Sequence, residues 1–252
     1  MKRGLTSLLF AGILLTSTTA WGQIGPPQLR APDDGYSLGV GIHNVHSRWS
    51  YGNVIDRNRI YLEGSRGLAD CLEIFARVGG SEWVVNDIET FQPGFTHDVS
   101  SDGYPAFLSG GLRALAWDCD KWSIGVSFEA AIYSGMERAV RWNFDAYQEL
   151  HFDSTVEINA GISIGYRCSW STFYAGPLLH FGYASADVRT HTFGPDWSVQ
   201  DSIDAVTIRD KPGWGAFVGW LWPFGDSSWS LQLEGSVLRD GVGGSVACFK
   251  SW

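Results

Sequence analysis

The stretch STVEINAGISIGYR, residues 154–167, decides the fold. Val156, Ile158, Ala160, Ile162, Ile164 and Tyr166 share one phase, and Thr155, Glu157, Asn159, Gly161, Ser163, Gly165 and Arg167 share the other. An amphipathic helix repeats its apolar residues three and four apart, so strict alternation over this length specifies a strand. WSIGVSFEAAIY (122–133) and WSLQLEGSV (229–237) repeat the arrangement. A soluble sandwich or lipocalin-like barrel would turn its apolar phase inward and carry many Lys, Glu and Thr on the other. Here the second phase holds Gly, Ser, Ala and isolated charges, the composition of a narrow lumen.

Working outward, the same period predicts ten strands, near 36–47, 57–66, 70–80, 104–117, 121–134, 153–167, 170–185, 212–222, 228–238 and 243–252. Eight is the alternative count, if the first two pair differently. Connections after the second, fourth, sixth and eighth strands are short. Those after the third, fifth and seventh, near 81–103, 135–152 and 186–211, are long and polar. A meander standing across a slab produces this alternation. Only helices and closed barrels can cross a bilayer, because an open sheet edge leaves backbone groups unpaired in hydrocarbon. The expected fold is all-β: a closed antiparallel up-and-down transmembrane barrel over 36–252, with short turns and both termini on the periplasmic side.

The short turns are bracketed by large rings. Trp117 and Trp122 flank DCDK, Tyr166 and Trp170 flank RCS, Trp222 and Trp229 flank PFGDSS, and Trp252 ends the chain. Trp and Tyr favour the membrane–water boundary, where the ring is in apolar surroundings and its N–H or O–H meets water. These seven residues are predicted to form a girdle.

The N-terminus supplies the route. Lys2 and Arg3 precede an apolar run from Leu5 to Leu15 and small residues up to Ala20, the pattern of a cleaved secretory signal peptide over 1–20, with cleavage after Gly22 as the alternative. Residues 21–35 then read as a periplasmic segment. Loss of Lys2 and Arg3 moves the formal charge from −9 to −11, so there is no basic footprint for nucleic acid. The 31 Gly and 13 Trp beside only 18% charged residues suit sheet surfaces that face something other than water.

At these residues the chain resembles small outer-membrane β-barrel proteins of Gram-negative bacteria, the opacity-type and outer-membrane-protein-A-like group, porins in the broad sense. YLEGSRGLADCLEIFARVGG (61–80) is similar to a hairpin common in such barrels, and VACFKSW ends in an aromatic residue as their assembly signal does, departing from it at Lys250. The resemblance implies an outer-membrane location, a monomer among phospholipid and lipopolysaccharide, and contact with the barrel-assembly machinery. It carries over no catalytic residue and no cofactor.

On the lumen phase, Arg59, Glu63, Glu73, Arg77, Arg113, Glu129, Glu157, Arg167 and Glu234 stand as candidates, with His43 and His180 in similar phase. Ionised groups there must pair or stay hydrated. They form a structural salt-bridge core, the lining of a small pore or a proton-transfer site around His180 or His43. The external loops carry His97, Asp98, Asp102, His151, Asp153, His191 and Asp196, with aromatics Trp142, Phe144, Tyr147, Phe152, Phe193 and Trp197. The leading expectation is a structural or small-solute channel role without enzymatic activity. A surface adhesin or ligand-binding barrel is the alternative, and an Asp/His hydrolase on the rim comes third. No HExxH and no tight metal-ligand spacing occurs. Cys71, Cys119, Cys168 and Cys248 all map to the short-turn end, and the oxidising periplasm makes a Cys71–Cys119 bridge the expected one.

Overall fold

The computed structural model describes residues 25–26, 29, 31, 34–48, 54–89, 96–100, 104–143, 146–193, 199–209, 213–225, 228–239 and 241–252. Residues 1–20, read from the sequence as a signal peptide, lie outside these described residues. Thirteen strands are present: β1 Tyr36–Arg48, β2 Val54–Ala69, β3 Leu72–Glu89, β4 Thr96–Ser100, β5 Ala106–Cys119, β6 Trp122–Tyr133, β7 Met136–Asn143, β8 Ala146–Cys168, β9 Ser171–Phe193, β10 Val199–Arg209, β11 Gly213–Pro223, β12 Trp229–Leu238 and β13 Gly241–Ser251. Ten of them close a ring in the order β1-β2-β3-β5-β6-β8-β9-β11-β12-β13, with every pairing antiparallel. The first and last strands seal it, with Val40 opposite Cys248. At the rim, Tyr36 N–H donates to the Trp252 carbonyl at 2.9 Å and Trp252 N–H to the Tyr36 carbonyl at 3.0 Å. Ten strands, not eight, make the barrel.

The three connections read as polar loops are partly strand. β4 pairs with the upper part of β3, β7 with β8, and β10 with β9. Their sequences, THDVS, MERAVRWN and VQDSIDAVTIR, lack the strict alternation that marks the wall. β8 and β9 each run 23 residues. A membrane crossing takes about 9–11 residues, so their outer halves stand clear of the bilayer. There β7, β8, β9 and β10 form one four-stranded sheet.

Burial is inverted relative to a soluble protein. Leu38, Val40, Ile42, Leu62, Val78, Leu108, Ile132 and Ile164 are exposed on the outer wall, whereas Glu63, Glu73, Arg113 and Glu157 are buried inside. Each bare apolar side chain would cost on the order of 1 kcal/mol in water. In hydrocarbon the cost vanishes.

Large rings stand in the lumen, and glycines make room for them. A Cβ on Gly219 would lie 2.1 Å from the Tyr174 ring, and one on Gly41 would lie 2.4 Å from Tyr61. Tyr61, Phe75, Trp83, Phe107, Tyr133, Tyr174, Phe217 and Phe249 all point inward and are buried. Two bulges adjust the phase. Between Leu115 and Trp117 the register of β5 slips against β6, which sets Trp117 opposite Ile124 and turns it onto the outer wall. A second bulge, between Phe152 and Ser154 of β8, lets both Phe152 and Thr155 face inward.

Replacing Gly219 with Val forces the new side chain into the Tyr174 ring and is expected to cost about 1–3 kcal/mol of stability. Gly64→Ala, whose new methyl group would meet nothing within 4 Å, should be near neutral. Urea midpoints from heat-shift gels of the refolded barrels measure both.

Candidate functional site

The lumen groups come from consecutive strands. β2 supplies Arg57, Arg59 and Glu63; β3 supplies Glu73 and Arg77; β5, β6 and β8 supply Arg113, Glu129 and Glu157. Near the short-turn end, Arg113 Nη1 donates to Glu73 at 2.5 Å and its Nη2 to Glu63 at 3.0 Å. Arg77 continues the chain, with Nε to Glu63 at 2.7 Å and Nη1 to Glu129 at 2.8 Å. Ser109 donates a further bond to Glu129 at 2.7 Å. Higher up, Arg57 and Arg59 share Glu157, which also accepts a bond from Tyr133 Oη at 2.8 Å. A planar guanidinium can reach more than one partner as a fork, which a lysine ammonium cannot match.

Aromatic faces take up what the carboxylates leave. Arg113 Cζ stands 3.9 Å from the Phe75 ring centroid, Arg77 4.9 Å from the same ring, and Arg57 4.7 Å from Trp83. Above the charges, Trp83 packs edge-on to Tyr133 at 5.4 Å, with Phe107 and Phe152 beside them. On the other side of the lumen, Glu234 of β12 accepts bonds from Tyr174 Oη at 2.9 Å and Gln232 Nε2 at 3.3 Å. His180 Nδ1 lies 2.6 Å from Asn159 Oδ1, and His43 is buried on the same inner face.

The N-terminal segment enters this space. Ala31 N–H donates to Glu73 Oε2 at 2.7 Å, and Gly25 N–H donates to Glu234 Oε2 at 2.9 Å. Glu73 lies one residue into β3 and Glu234 five residues up β12, on well-separated parts of the ring. The chain therefore climbs from the rim at Tyr36 into the lumen. Gly25 and Ala31 belong to the segment read from sequence as periplasmic, and both are buried inside the barrel. No periodicity marks such an insertion, because its partners are carboxylates far away in sequence.

Eight of the nine lumen candidates, Arg59, Glu63, Glu73, Arg77, Arg113, Glu129, Glu157 and Glu234, are buried on the inner face. Arg167 is not. It has the inner phase but stands one residue from the end of β8, where the wall gives out, and its guanidinium pairs with the half-exposed Asp118. Arg57 was missed, although it shares the phase of Arg59 and Glu63 and is fully buried. Trp117, Trp122, Tyr166, Trp170, Trp222, Trp229 and Trp252 all face outward at the short-turn end. Trp220 joins them, stacked on Trp222 at 5.5 Å and on Phe173 at 5.9 Å. Tyr104, Tyr183 and Trp214 are exposed toward the other end of the wall. Phe152, read as a loop aromatic, is instead a lumen residue.

The Cys71–Cys119 bridge is excluded by register. Leu115 N–H donates to the Cys71 carbonyl at 2.8 Å, so Cys71 stands opposite Leu115. Cys119 is four residues further along β5, roughly 13 Å away at the usual rise, whereas bridged Cα atoms lie within about 7 Å. All four cysteines are free thiols, and Cys168 Sγ donates to the Ser171 carbonyl at 3.2 Å. Among the described residues no group of His, Cys, Asp and Glu is arranged to hold a metal. On the rim, His151 Nε2 lies 3.2 Å from the exposed Asp153. The side chains of His97, Asp98, Asp102, Trp142, Phe144, Tyr147, Asp196 and Trp197 lie outside the described residues.

A closed antiparallel sheet with apolar side chains outside and paired charges inside is a transmembrane β-barrel of the outer-membrane type. No protein-family profile matches the chain, and no curated protein matches it. Solved structures do. The translocator domain of the autotransporter NalP from Neisseria meningitidis is 11% identical, covering 86% of this chain and 88% of that one with a TM-score of 0.48. The outer membrane protease OmpT from Escherichia coli is 11% identical over 86% and 93%, with a TM-score of 0.40. The toluene transporter TodX of P. putida is 12% identical over 94% and 95%, with a TM-score of 0.31. Their tasks differ, and likeness at this level assigns none of them here.

Arg77→Met removes the cation between Glu63 and Glu129 and leaves both carboxylates buried. The expected loss is about 3–5 kcal/mol, read as a lowered urea midpoint. Adding Glu129→Gln to that variant should recover part of it.

Proposed function

We propose that this protein is a structural outer-membrane barrel, closed through its lumen by its own N-terminal segment, that carries a stiff β-sheet above the membrane for contact at the cell surface. The observation behind the reading is the pair of bonds from Gly25 N–H to Glu234 and Ala31 N–H to Glu73, which draw the segment across the lumen. Below and above it the cross-section is taken by arginine–glutamate pairs and by the Trp83, Tyr133, Phe107 and Phe152 rings. Charges engaged in this way hold the walls together and present no free ring to a passing ion.

The outward sheet of β7, β8, β9 and β10 supports a contact role. Strand pairing holds it rigid, which lowers the entropy that binding must overcome. The reading includes no catalytic step. His151 and Asp153 meet on the open rim, with the Asp153 side chain more than half exposed. Small-solute passage is the second reading. It is favoured by the way the segment is held, with Gly25 and Ala31 tied by backbone N–H bonds to two carboxylates, so that withdrawal would free space beside the arginine–glutamate pairs and the rings.

Planar-bilayer recording separates the two. The intact refolded chain should be silent, and a variant lacking residues 21–34 should show more frequent openings. Steady open steps from the intact chain would overturn the closed-lumen reading.

A further inference from the structure

Lys250 is out of place by the logic of the wall. It lies on the outer face of β13, directly across from Leu38 of β1 on one side and Trp229 of β12 on the other. Its Nζ stands 5.7 Å from the Trp229 ring centroid and 5.8 Å from that of Trp252, between two girdle tryptophans. Leu38, Trp229, Lys250 and Trp252 together line an open hollow of about 390 Å³ on the outer wall. No Asp or Glu side chain belongs to that lining. The neighbouring cation, Arg66, stacks on Tyr36 at 5.5 Å and has Asp34 at 3.9 Å.

We propose that this hollow binds the headgroup of an anionic phospholipid in the periplasmic leaflet, with the phosphate on Lys250 Nζ and the first part of an acyl chain along Leu38. The level is right. The hollow lies within the ring of exposed indoles that marks the membrane boundary, and a lysine on the lipid face is tolerated there while it is costly at the midplane. The shape is right as well. Two indole rings and an ammonium face a polar headgroup, and Leu38, followed two residues on by Val40, continues the apolar surface toward the bilayer centre. The charge is complementary, because Lys250 supplies an ammonium to a lining that holds no Asp or Glu side chain. The site depends on the membrane placement of the girdle and not on the closed lumen, so a conductance result leaves it standing and a failed heat shift removes it separately.

Native mass spectrometry of the folded barrel in neutral detergent tests this with phosphatidylglycerol, phosphatidylethanolamine or inorganic phosphate added. The intact chain should retain one phosphatidylglycerol about fivefold better than phosphatidylethanolamine. Lys250→Gln should abolish that preference, Lys250→Arg should restore it, and Lys121→Gln, in the β5–β6 turn away from the hollow, should leave it unchanged. Equal retention of phosphatidylglycerol by Lys250→Gln would overturn the site. So would displacement of the lipid by inorganic phosphate at matching concentration, which would show a bare anion site and no reading of lipid.

Discussion

Everything in this molecule follows from the pairing of β1 with β13. In hydrocarbon an unpaired backbone N–H or C=O has no water to turn to, and each costs several kcal/mol. An open edge along Ser37 to Ser47, the positions that face Gly241 to Ser251, would make the sheet untenable in a membrane. Closure removes the edge and sets the rest in place. It forces one phase of every strand toward lipid and the other into the lumen. It also brings both ends of the barrel to the same rim, where Tyr36 and Trp252 exchange backbone bonds.

A closed ring then has an interior to fill without the help of the hydrophobic effect on its outside. This chain fills it in two ways. Rings such as Tyr61 and Tyr174 lie over glycines, whose missing side chains leave flat backbone to pack on. Between the rings run arginines shared by glutamates, so that Glu63 serves both Arg77 and Arg113 and Glu157 serves both Arg57 and Arg59. Neither device works alone. Isolated charges would carry an unrecovered desolvation cost, and rings alone would leave gaps along the wall. The N-terminal segment adds backbone donors, Ala31 N–H to Glu73, which Arg113 also serves, and Gly25 N–H to Glu234, which Tyr174 and Gln232 also serve.

Much of this is legible in the alternation of residues such as 154–167, because a wall between lipid and lumen imposes period two wherever the sheet is inside the membrane. Where that constraint ends, legibility ends with it. In the outer parts of β3, β8 and β9 the sheet no longer divides lipid from lumen, and the paired strands β4, β7 and β10 pass for loops. Bulges are invisible to a fixed period. Trp117 reaches the girdle against the phase of its own strand, and only its company at the turn gives it away. Phe152 reads as a loop aromatic because no residue near Asp153 signals the slip. Arg167 and Cys71 show the opposite limit. Phase and proximity to a turn are necessary for a lumen contact or a bridge, but register and the end of the wall decide the outcome.

The division of the cations shows how finely the boundary is drawn. The buried ones, Arg57, Arg59, Arg77 and Arg113, are all arginines, held in forks and against rings where water is scarce. The lysines in the described structure, Lys121 in a turn and Lys250 on the girdle, both stand at the short-turn rim. An ammonium is compact and strongly hydrated, so it is expensive to dry and gains little from a flat partner, whereas a guanidinium is weakly hydrated and planar. Sorting by hydration therefore places arginine in the lumen and lysine at the water line, where a tryptophan face and a phosphate can share its charge. The same property that keeps lysine out of the core makes it the residue able to read the membrane surface.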